Sequence, residues 1–275
     1  MQAQLLVKRA VVAGLLAVSA PAVSEAQNDT AAKTFLTRRD LVFGGVFVVG
    51  SVGLSVFDTR IAHFFGDTSL AHVRAGQRLD DIFTHINETT LTVGGLAIYA
   101  IGRLTKANAV ADIALHSTEA VVLASLSSQV IRGPLGRSRP SVTNADDQYD
   151  FHFFKGFGQF NYRAFPSIHS SSGFAAASAI VAETQHRAPG AVAFVAPAAY
   201  LVALTPGLSR MYLGQHWASD ILAGALLGTF AGYRVVNYSH SHGRTRLDRF
   251  LLGPTASVTP AFDGKTFGVS LNARF

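Results

Sequence analysis

Long apolar stretches separated by short polar ones dominate the chain. Residues 41–57 and 188–209 contain no charged side chain. A membrane-spanning helix needs roughly 20 predominantly apolar residues. These two stretches therefore reach or approach the length of a span, whereas residues 89–102 and 221–233 fall short. The pattern lies between a polytopic membrane protein and a very apolar globular helical bundle.

Residues 108–131 carry Asp112, His116 and Glu119 at helical spacing. This spacing predicts an amphipathic helix with one polar face. The three side chains could be ligands of an ion, but no neighbouring residue has the spacing of a metal site. We therefore interpret them as a polar face that finds its partners within the protein.

The C-terminal tail has a different pattern. Apolar and polar or small residues alternate in residues 267–275, which indicates a strand with one apolar face. Asp263-Gly264 lies just before that strand and is a strong hairpin dipeptide. We therefore predict an all-α fold: an apolar bundle of about six core helices, with a short C-terminal β-hairpin packed on it.

The N-terminus has the pattern of an export signal. Lys8 and Arg9 precede the apolar residues 10–18, and small residues at Ser24 and Ala26 favour cleavage before Gln27. The alternative is an uncleaved anchor helix. The predicted organisation is a signal peptide at 1–26, a linker at 27–40, a helical bundle at 41–250 and a hairpin tail at 251–275.

Export of the N-terminus would conflict with the usual placement of basic residues on the cytoplasmic side of a membrane. Lys33, Arg38 and Arg39 precede the first apolar segment and would lie outside, against the positive-inside tendency. Either that segment is an uncleaved anchor of a membrane-spanning bundle, or the bundle is largely exported. We favour an exported bundle in contact with the membrane of the cell envelope.

Composition narrows the chemistry. Charged residues make up 15% of the 275 residues, against about 25% in an ordinary soluble domain. With no cysteine, the chain cannot use thiolate nucleophiles, disulfides or cysteine metal sites. A net charge of +6 favours anionic partners without choosing among nucleic acid, acidic lipid and phosphorylated small molecules.

Arginines cluster in the first of three polar blocks. Arg132 and Arg139-Pro140 flank a segment rich in glycine and proline, where we expect the preceding helix to end. Guanidinium groups bind phosphate oxygens in a bidentate manner. Taken alone, the block is also typical of an anchor for lipid headgroups.

The second block is Pro166-Ser167-Ile168-His169. Proline and serine here indicate the start of a helix. The free N–H groups of a first helical turn form an anion site, and His169 would lie beside the anion. Taken alone, the block is equally compatible with a capped helix that carries a surface histidine.

The third block is Ser209-Arg210 followed by His216 and Asp220. On a helix, residues four apart share one face. Asp220 can then accept from one ring nitrogen of His216 and leave the other as a nucleophile. A stripe of small residues follows and predicts close approach of a neighbouring helix: Gly224, Gly228 and Gly232.

Together, the three blocks resemble the type 2 phosphatidic acid phosphatase family. Its superfamily also contains bacterial class A acid phosphatases and vanadium haloperoxidases. The family pattern is Lys, six residues, Arg-Pro; then Pro-Ser-Gly-His; then Ser-Arg, five residues, His, three residues, Asp. The resemblance covers about residues 85–235. Two positions depart from the pattern: Arg132 replaces lysine, and Ile168 replaces a glycine, where a β-branched residue tolerates positive φ poorly.

The resemblance implies a role for each site residue. His216 would attack phosphorus and form a phosphohistidine, and Asp220 would orient it. His169 would be the general acid and then the general base. No metal or other cofactor is implied. The phosphate clamp would comprise Arg132, Arg139, Arg210, Ser167 and the N–H groups of the helix start.

The substrate is less sharply indicated. Residues 151–165 contain seven Phe or Tyr and could form an interfacial lid that admits lipid chains, or simply pack over the bundle. We favour a lipid phosphate, phosphatidate-like or a prenyl diphosphate, over a small soluble phosphoester, and expect no nucleic acid partner. The rival functions are a vanadate-dependent haloperoxidase and a non-catalytic envelope protein.

One further basic segment, residues 240–246, contains two histidines and two arginines. We interpret it as a solvated basic segment rather than a metal site.

Overall fold

The structure is a computed structural model that describes residues 38–66, 83, 85–242, 256–262 and 267–273. The predicted signal peptide and its cleavage position lie outside the described residues. So does most of the predicted linker. The first described helix begins at Arg38, inside the predicted linker.

Within the described residues the chain forms seven α-helices, and the all-α fold class is correct. In chain order they are α1 (Arg38–Ser55), α2 (Asp58–Gly66), α3 (Glu88–Leu104), α4 (Asn108–Leu135), α5 (Ile168–Arg187), α6 (Val192–Tyr212) and α7 (Ala218–His242). The count of six core helices stays a prediction. Short 3-10 turns at Pro140–Val142, Lys155–Phe157 and Phe160–Tyr162 punctuate the long connection between α4 and α5.

Helix α4 continues further than its sequence suggests. It includes Gly133 and Pro134 and ends at Leu135, inside the segment rich in glycine and proline as expected, but the expectation that Arg132 lies in a loop after the helix was wrong. The helix ends where Gly136 adopts a left-handed conformation at φ 59° and its N–H donates to the Arg132 carbonyl at 3.1 Å. A left-handed residue is the usual end of a helix and favours glycine. Arg132 therefore projects from the last turn of a helix and not from a loop.

Helix α5 lies at the centre of the bundle and packs against α4, α6 and α7. The predicted close approach across the glycine stripe of α7 is confirmed. A Cβ atom at Gly228 would lie 2.8 Å from the Ala175 nitrogen, and one at Gly232 would lie 2.7 Å from the Ala175 carbonyl oxygen. The facing side of α5 is correspondingly small, with Ser171, Ala175 and Ser178. Small residues on both helices let the two backbones meet and fix their relative position.

Two described helical segments are long and apolar enough to cross a membrane, Asn108–Leu135 and Pro189–Tyr212. The bent pair α1 and α2, at 58° to each other, would be a third if it acts as one span. The sequence predicted the second segment and approached the third, but treated Asn108–Leu135 as merely amphipathic. Large apolar side chains point outward along several helices, including Val49, Val93, Val130, Phe194 and Leu201. This surface indicates association with a membrane.

Strands β1 (Ala256–Phe262) and β2 (Phe267–Ala273) pair antiparallel, with Phe262 opposite Phe267. The proposed turn residues Asp263 and Gly264 lie outside the described residues. Packing of a hairpin on the bundle stays a prediction.

Candidate functional site

Helix ends from all three sequence blocks meet at one end of the bundle. Arg132 lies in the last turn of α4 and Arg210 in the last turn of α6, while His169 lies in the first turn of α5. His216 precedes α7, and Asp220 lies in its first turn. We call this the phosphate end, because every predicted phosphate-binding residue lies there.

His216 is buried and its ring is held by the backbone. Its Nδ1 donates to the Ala164 carbonyl oxygen at 2.7 Å, and the nearer Asp220 oxygen lies 3.7 Å from the same nitrogen. A proton on Nδ1 leaves a lone pair on Nε2 in the neutral ring. The structure thus gives the expected tautomer through a carbonyl that the sequence did not indicate.

The expectation that His216 and Asp220 share a helical face was wrong in one respect. Helix α7 begins only at Ala218, so His216 lies outside it. Asp220 instead closes the helix start, where its Oδ2 accepts from the Trp217 N–H at 2.8 Å. A carboxylate in the first turn that accepts from the N-terminal N–H stabilises a helix start. Asp220 therefore orients the chain around His216 as well as the ring.

The sequence analysis missed two residues that fix the position of Asp220, one directly and one through the other. Arg137 donates through Nη1 to Asp220 Oδ1 at 2.5 Å and through Nη2 to Asp58 Oδ2 at 2.9 Å. Asp58 begins α2, is fully buried and also accepts from the Ser219 N–H at 2.9 Å. Arg137 stands inside the first block as a third arginine, which was its only signal. No spacing pattern links Asp58 to residues about 80 positions later.

His169 faces the cations of the site. Arg210 donates through Nη2 to His169 Nε2 at 2.9 Å, so this nitrogen is an acceptor and the ring is neutral. The other nitrogen, Nδ1, is buried without a hydrogen-bond partner among the described residues. An anion that drew the Arg210 guanidinium away would leave this Nε2 open to a proton.

Arg139 is buried beside the other predicted clamp arginines. Its Nε donates to the Phe160 carbonyl at 2.9 Å, its guanidinium lies 3.7 Å from the Phe160 ring centroid, and Nη1 contacts the Gln215 side chain. Arg132 is likewise buried, and its Nε donates to Gln129 at 2.8 Å. Arg163, which the sequence analysis did not single out, adds a fourth positive charge nearby.

Ser167 caps α5 as predicted, with its side chain accepting from the Ser170 N–H at 3.4 Å. The following N–H groups, of Ile168 and His169, donate to no acceptor in the described part of the chain. Ile168 begins the helix and is not among the residues with positive φ. The isoleucine in place of the family's glycine therefore introduces no backbone strain here, and two N–H donors remain for an anion.

The pKa values reflect the excess of positive charge. Burial and the charges of Arg210, His216, Arg139 and Arg132 lower the pKa of His169 to about 3. Burial and the neighbouring arginines lower the pKa of Arg139 to about 10. Burial likewise lowers the pKa of His216, although Asp220 opposes it. Burial raises the pKa of Asp220, but the charge of Arg137 outweighs it and keeps the carboxylate ionised.

The aromatic segment, residues 151–165, covers the phosphate end of the bundle. Its backbone pairs with the arginine block: Phe154 N–H donates to the Pro134 carbonyl at 2.8 Å, and Ala164 N–H donates to the Arg137 carbonyl at 3.1 Å. Four of its phenylalanines nevertheless expose more than half of their surface: Phe153, Phe154, Phe157 and Phe160. The same segment thus supplies the carbonyl that holds His216 and an apolar rim beside the arginines.

Chemically, the phosphate end combines two imidazoles with a surplus of guanidinium groups. Such a surplus in a buried place is stabilised by an anion. Every residue named for the site from sequence lies here, and the structure adds Arg137, Asp58, Arg163 and the Ala164 carbonyl.

Comparison with known proteins places the same region in one family. Residues 114–244 match the model of the PAP2 superfamily. Three lipid A 1-phosphatases are similar: one from Porphyromonas gingivalis, 38% identical over 69 residues, one from Rhizobium johnstonii, 31% over 112 residues, and one from Rhizobium etli, 32% over 110 residues. These matches cover 25%, 40% and 39% of this chain.

The chain spans only part of those relatives, 15%, 41% and 42% of their respective lengths. Among solved structures, the crystal structure of the first transmembrane PAP2 type phosphatidylglycerolphosphate phosphatase from Bacillus subtilis matches 72% of this chain and 100% of its own, at 20% identity and a TM-score of 0.33. All three blocks lie within the matched residues 114–244. They depart from the family pattern at positions 132 and 168. The part of the chain that holds the three blocks, residues 114–244, is thus similar to the PAP2 superfamily.

Proposed function

We propose that the protein is a metal-independent phosphatase that hydrolyses the phosphate ester of a lipid at the phosphate end, through a phosphohistidine on His216. One observation carries the proposal: a buried imidazole with a free Nε2 lies among buried arginines that lack enough carboxylates to neutralise them. Phosphoryl transfer needs mainly positioning and charge stabilisation, which such a site provides.

Arg132, Arg139 and Arg210 bind the non-bridging oxygens of the phosphate in this mechanism. The N–H groups of Ile168 and His169 add two donors at the positive end of the α5 dipole. Ser167 contributes by capping the helix and fixing these donors. Because the donors are held in place before substrate arrives, they stabilise the transition state without reorganisation.

The chemical step occurs in two stages. His216 Nε2 attacks phosphorus, the bond from phosphorus to the ester oxygen breaks, and His169 gives its proton to the departing alkoxide. Water then attacks the phosphohistidine and gives a proton to His169, and the bond from phosphorus to Nε2 breaks to release inorganic phosphate. Asp220, held by Arg137, stabilises the positive charge that develops on His216.

The low pKa of His169 identifies where its proton originates. In the free enzyme this ring is neutral at pH 7, since its pKa is about 3. A phosphate monoester loses its second proton near pH 6, by analogy with phosphoserine. The monoanion therefore carries a proton into the site, and His169 receives it once the phosphate has neutralised the arginines.

This proton source makes a prediction about pH. We expect kcat/KM to follow a bell with its maximum on the acidic side of neutrality. The alkaline limb, at about pH 6, reflects loss of the substrate monoanion, and the acid limb reflects protonation of the free imidazoles. A steady-state pH series measures both limbs, and a flat profile from pH 4 to 9 would contradict the assigned roles.

A lipid substrate is supported by two features of the molecule and by its relatives. Exposed phenylalanines border the arginines, and apolar side chains cover the helices. The similar proteins are named lipid A 1-phosphatases. We therefore place lipid phosphates, including a lipid A 1-phosphate, phosphatidate and prenyl diphosphates, ahead of soluble phosphoesters.

The site faces away from the cytoplasm in this proposal, with residues 1–26 as signal peptide, 27–40 as linker, 41–250 as phosphatase bundle and 251–275 as tail. Mapping the side of the membrane on which residue 275 lies, in cells, tests the orientation.

The decisive test is His216→Ala. We expect it to abolish release of inorganic phosphate from a lipid phosphate in the presence of a chelator. The matched control is His240→Ala, a histidine at the other end of α7, which keeps full turnover. Phosphate release by His216→Ala at the wild-type rate would refute the proposal. Oxidation of bromide by peroxide in the presence of vanadate, without phosphate release, would instead identify a haloperoxidase.

A further inference from the structure

The far end of the same bundle contains a second polar cluster that the proposed reaction does not use. His116 of α4, Glu183 of α5 and His240 of α7 meet there, with one ligand atom from each within 4.8 Å of the others. Along α4, His116 and Arg132 are sixteen residues apart, about 24 Å at the rise of an α-helix. We call this group the His-Glu-His cluster.

The cluster converges on a single carboxylate oxygen. His116 Nδ1 lies 2.5 Å and His240 Nε2 lies 3.0 Å from the same atom, Oε1 of Glu183. Glu183 is completely buried and His116 nearly so, whereas the His240 side chain keeps 32% of its surface exposed. The ligand atoms of Glu183 and His116 are thus shielded from water, whereas His240 can be reached from the surface.

The second carboxylate oxygen of Glu183 is already occupied. Arg187 donates to Oε2 at 2.7 Å, and its other nitrogen donates to Asp112 at 2.8 Å. One arginine and two carboxylates give this group a net charge of −1 when both imidazoles are neutral. Burial raises the pKa of Glu183, but hydrogen bonds from His116, Arg187 and His240 outweigh it and lower the pKa to about 2.

The surrounding contacts hold the cluster in place. The His186 ring stacks on His240 at 4.2 Å between centroids, and His186 Nε2 contacts Asn237 at 3.0 Å. The hydrogen bond from Arg187 to Oε2 fixes the Glu183 carboxylate on the side opposite the two histidines. Partners of this kind around the ligands are typical of metal sites, where they orient imidazoles and carboxylates.

We propose that His116, Glu183 and His240 bind one Zn²⁺ ion, with water completing the coordination. Two imidazoles and one carboxylate form a donor set that zinc favours. In a tetrahedral zinc site, ligand atoms lie about 3.4 Å apart, given bonds of about 2.1 Å. The two present distances therefore need to grow by less than about 1 Å, and each imidazole moves its proton to its other nitrogen or releases it to solvent.

Spacing along the sequence could not reveal this site, because each ligand comes from a different helix. His116 and His240 belong to the two segments that we interpreted as a polar face and as a solvated basic segment. The side chain of His240 is not simply solvated, since it reaches Glu183.

Zinc binding by the purified full chain tests the proposal directly. The chain is stripped with a chelator in detergent and titrated with Zn²⁺, and calorimetry and elemental analysis give affinity and stoichiometry. We expect one ion per chain. His116→Gln and His240→Ala should each weaken binding at least about tenfold. The matched control is His63→Ala, a half-exposed histidine beside Asp146 that should leave affinity unchanged.

A spectroscopic readout keeps the test independent of phosphatase activity. Because the chain has no cysteine, bound Co²⁺ should show ligand-field bands of a nitrogen and oxygen site, and His240→Ala should abolish them. If His116→Gln does not fold, the surface variant His240→Ala still decides. Substoichiometric zinc in the wild type, or affinity that His240→Ala leaves unchanged, would show a hydrogen-bonded network only and overturn the proposal.

Discussion

The two ends of the bundle share helices α4, α5 and α7 and have similar residues, yet their charges are arranged oppositely. At the phosphate end, burial and the charges of neighbouring arginines lower the pKa of Arg139 and of His169, so the His169 imidazole is neutral in the free protein at pH 7. At the far end, Arg187 lies between Glu183 and Asp112, and each charge has an opposite partner. In the proposed function an incoming phosphate completes one end, whereas the other carries a net charge of −1 when both of its imidazoles are neutral.

The phosphate end is itself divided into two layers. Its outer layer of arginines and imidazoles is short of negative charge. Its inner layer is a closed ion-pair network of Asp58, Arg137 and Asp220. All three side chains are buried. Paired charges therefore fix the geometry here, and the surplus of positive charge beside them is available to the anion of the proposed reaction.

Breaking the inner layer should have the largest effect. Asp58→Asn leaves Arg137 with one buried carboxylate in place of two, and removing one partner of a buried pair costs about 3–5 kcal/mol. We expect the free energy of unfolding of the protein in detergent to fall by that order. Thermal or chemical denaturation measures it.

The control for that variant is Asp146→Asn, which alters an exposed ion pair with His63 and should change stability by less than about 1 kcal/mol. Equal stability of the two variants would show that the inner layer does not hold the site together.

Removing one outer arginine should affect catalysis rather than folding. Arg139→Ala should lower kcat on a lipid phosphate by about 10²–10³, as loss of one preorganised donor does. Arg139→Lys should recover only part of the rate, because lysine keeps the charge but not the planar fork. Arg187→Ala, at the far end, is the control and should keep wild-type kcat. An equal loss in both variants would mean that the two ends are not functionally distinct.

The residues at the far end should contribute to the stability of the fold but not to the rate of catalysis. Glu183→Gln removes a carboxylate that accepts three charge-assisted or imidazole hydrogen bonds, and we expect a loss of about 1–3 kcal/mol at pH 7 with kcat unchanged.

The pH dependence of that loss has a definite sign. The pKa of Glu183 falls from 4.5 to about 2 on folding. Its stabilisation is therefore complete above pH 4.5 and is lost as pH decreases toward 2. Denaturation curves between these values should show a slope in the wild type that Glu183→Gln lacks. Parallel curves would contradict the assigned ionisation.

Local patterns predicted the features that depend on neighbouring residues. Ser167 marked the start of α5, and the stripe at Gly224, Gly228 and Gly232 marked its contact with α7, because both effects act over one or two turns of helix. The exact end of α4 was not predicted, because the left-handed Gly136 and not Pro134 ends the helix.

Contacts between distant segments could not be predicted in this way. The Ala164 carbonyl that holds His216 is a backbone atom and leaves no trace in residue type. Asp58 reaches Arg137 only because α2 folds back on the bundle. The His-Glu-His cluster likewise depends on the register of three helices, which residue spacing within one helix does not encode.

The proposed mechanism depends most on a covalent phosphohistidine at the phosphate end. We would measure it in His169→Ala with p-nitrophenyl phosphate, whose leaving group needs no proton, so that attack proceeds while attack by water is slowed. After rapid quenching, mass spectrometry under alkaline conditions should find a phosphoryl group on His216 and on no other residue. A phosphoryl group on a different residue, or unchanged turnover when His216 is also replaced by alanine, would contradict the account.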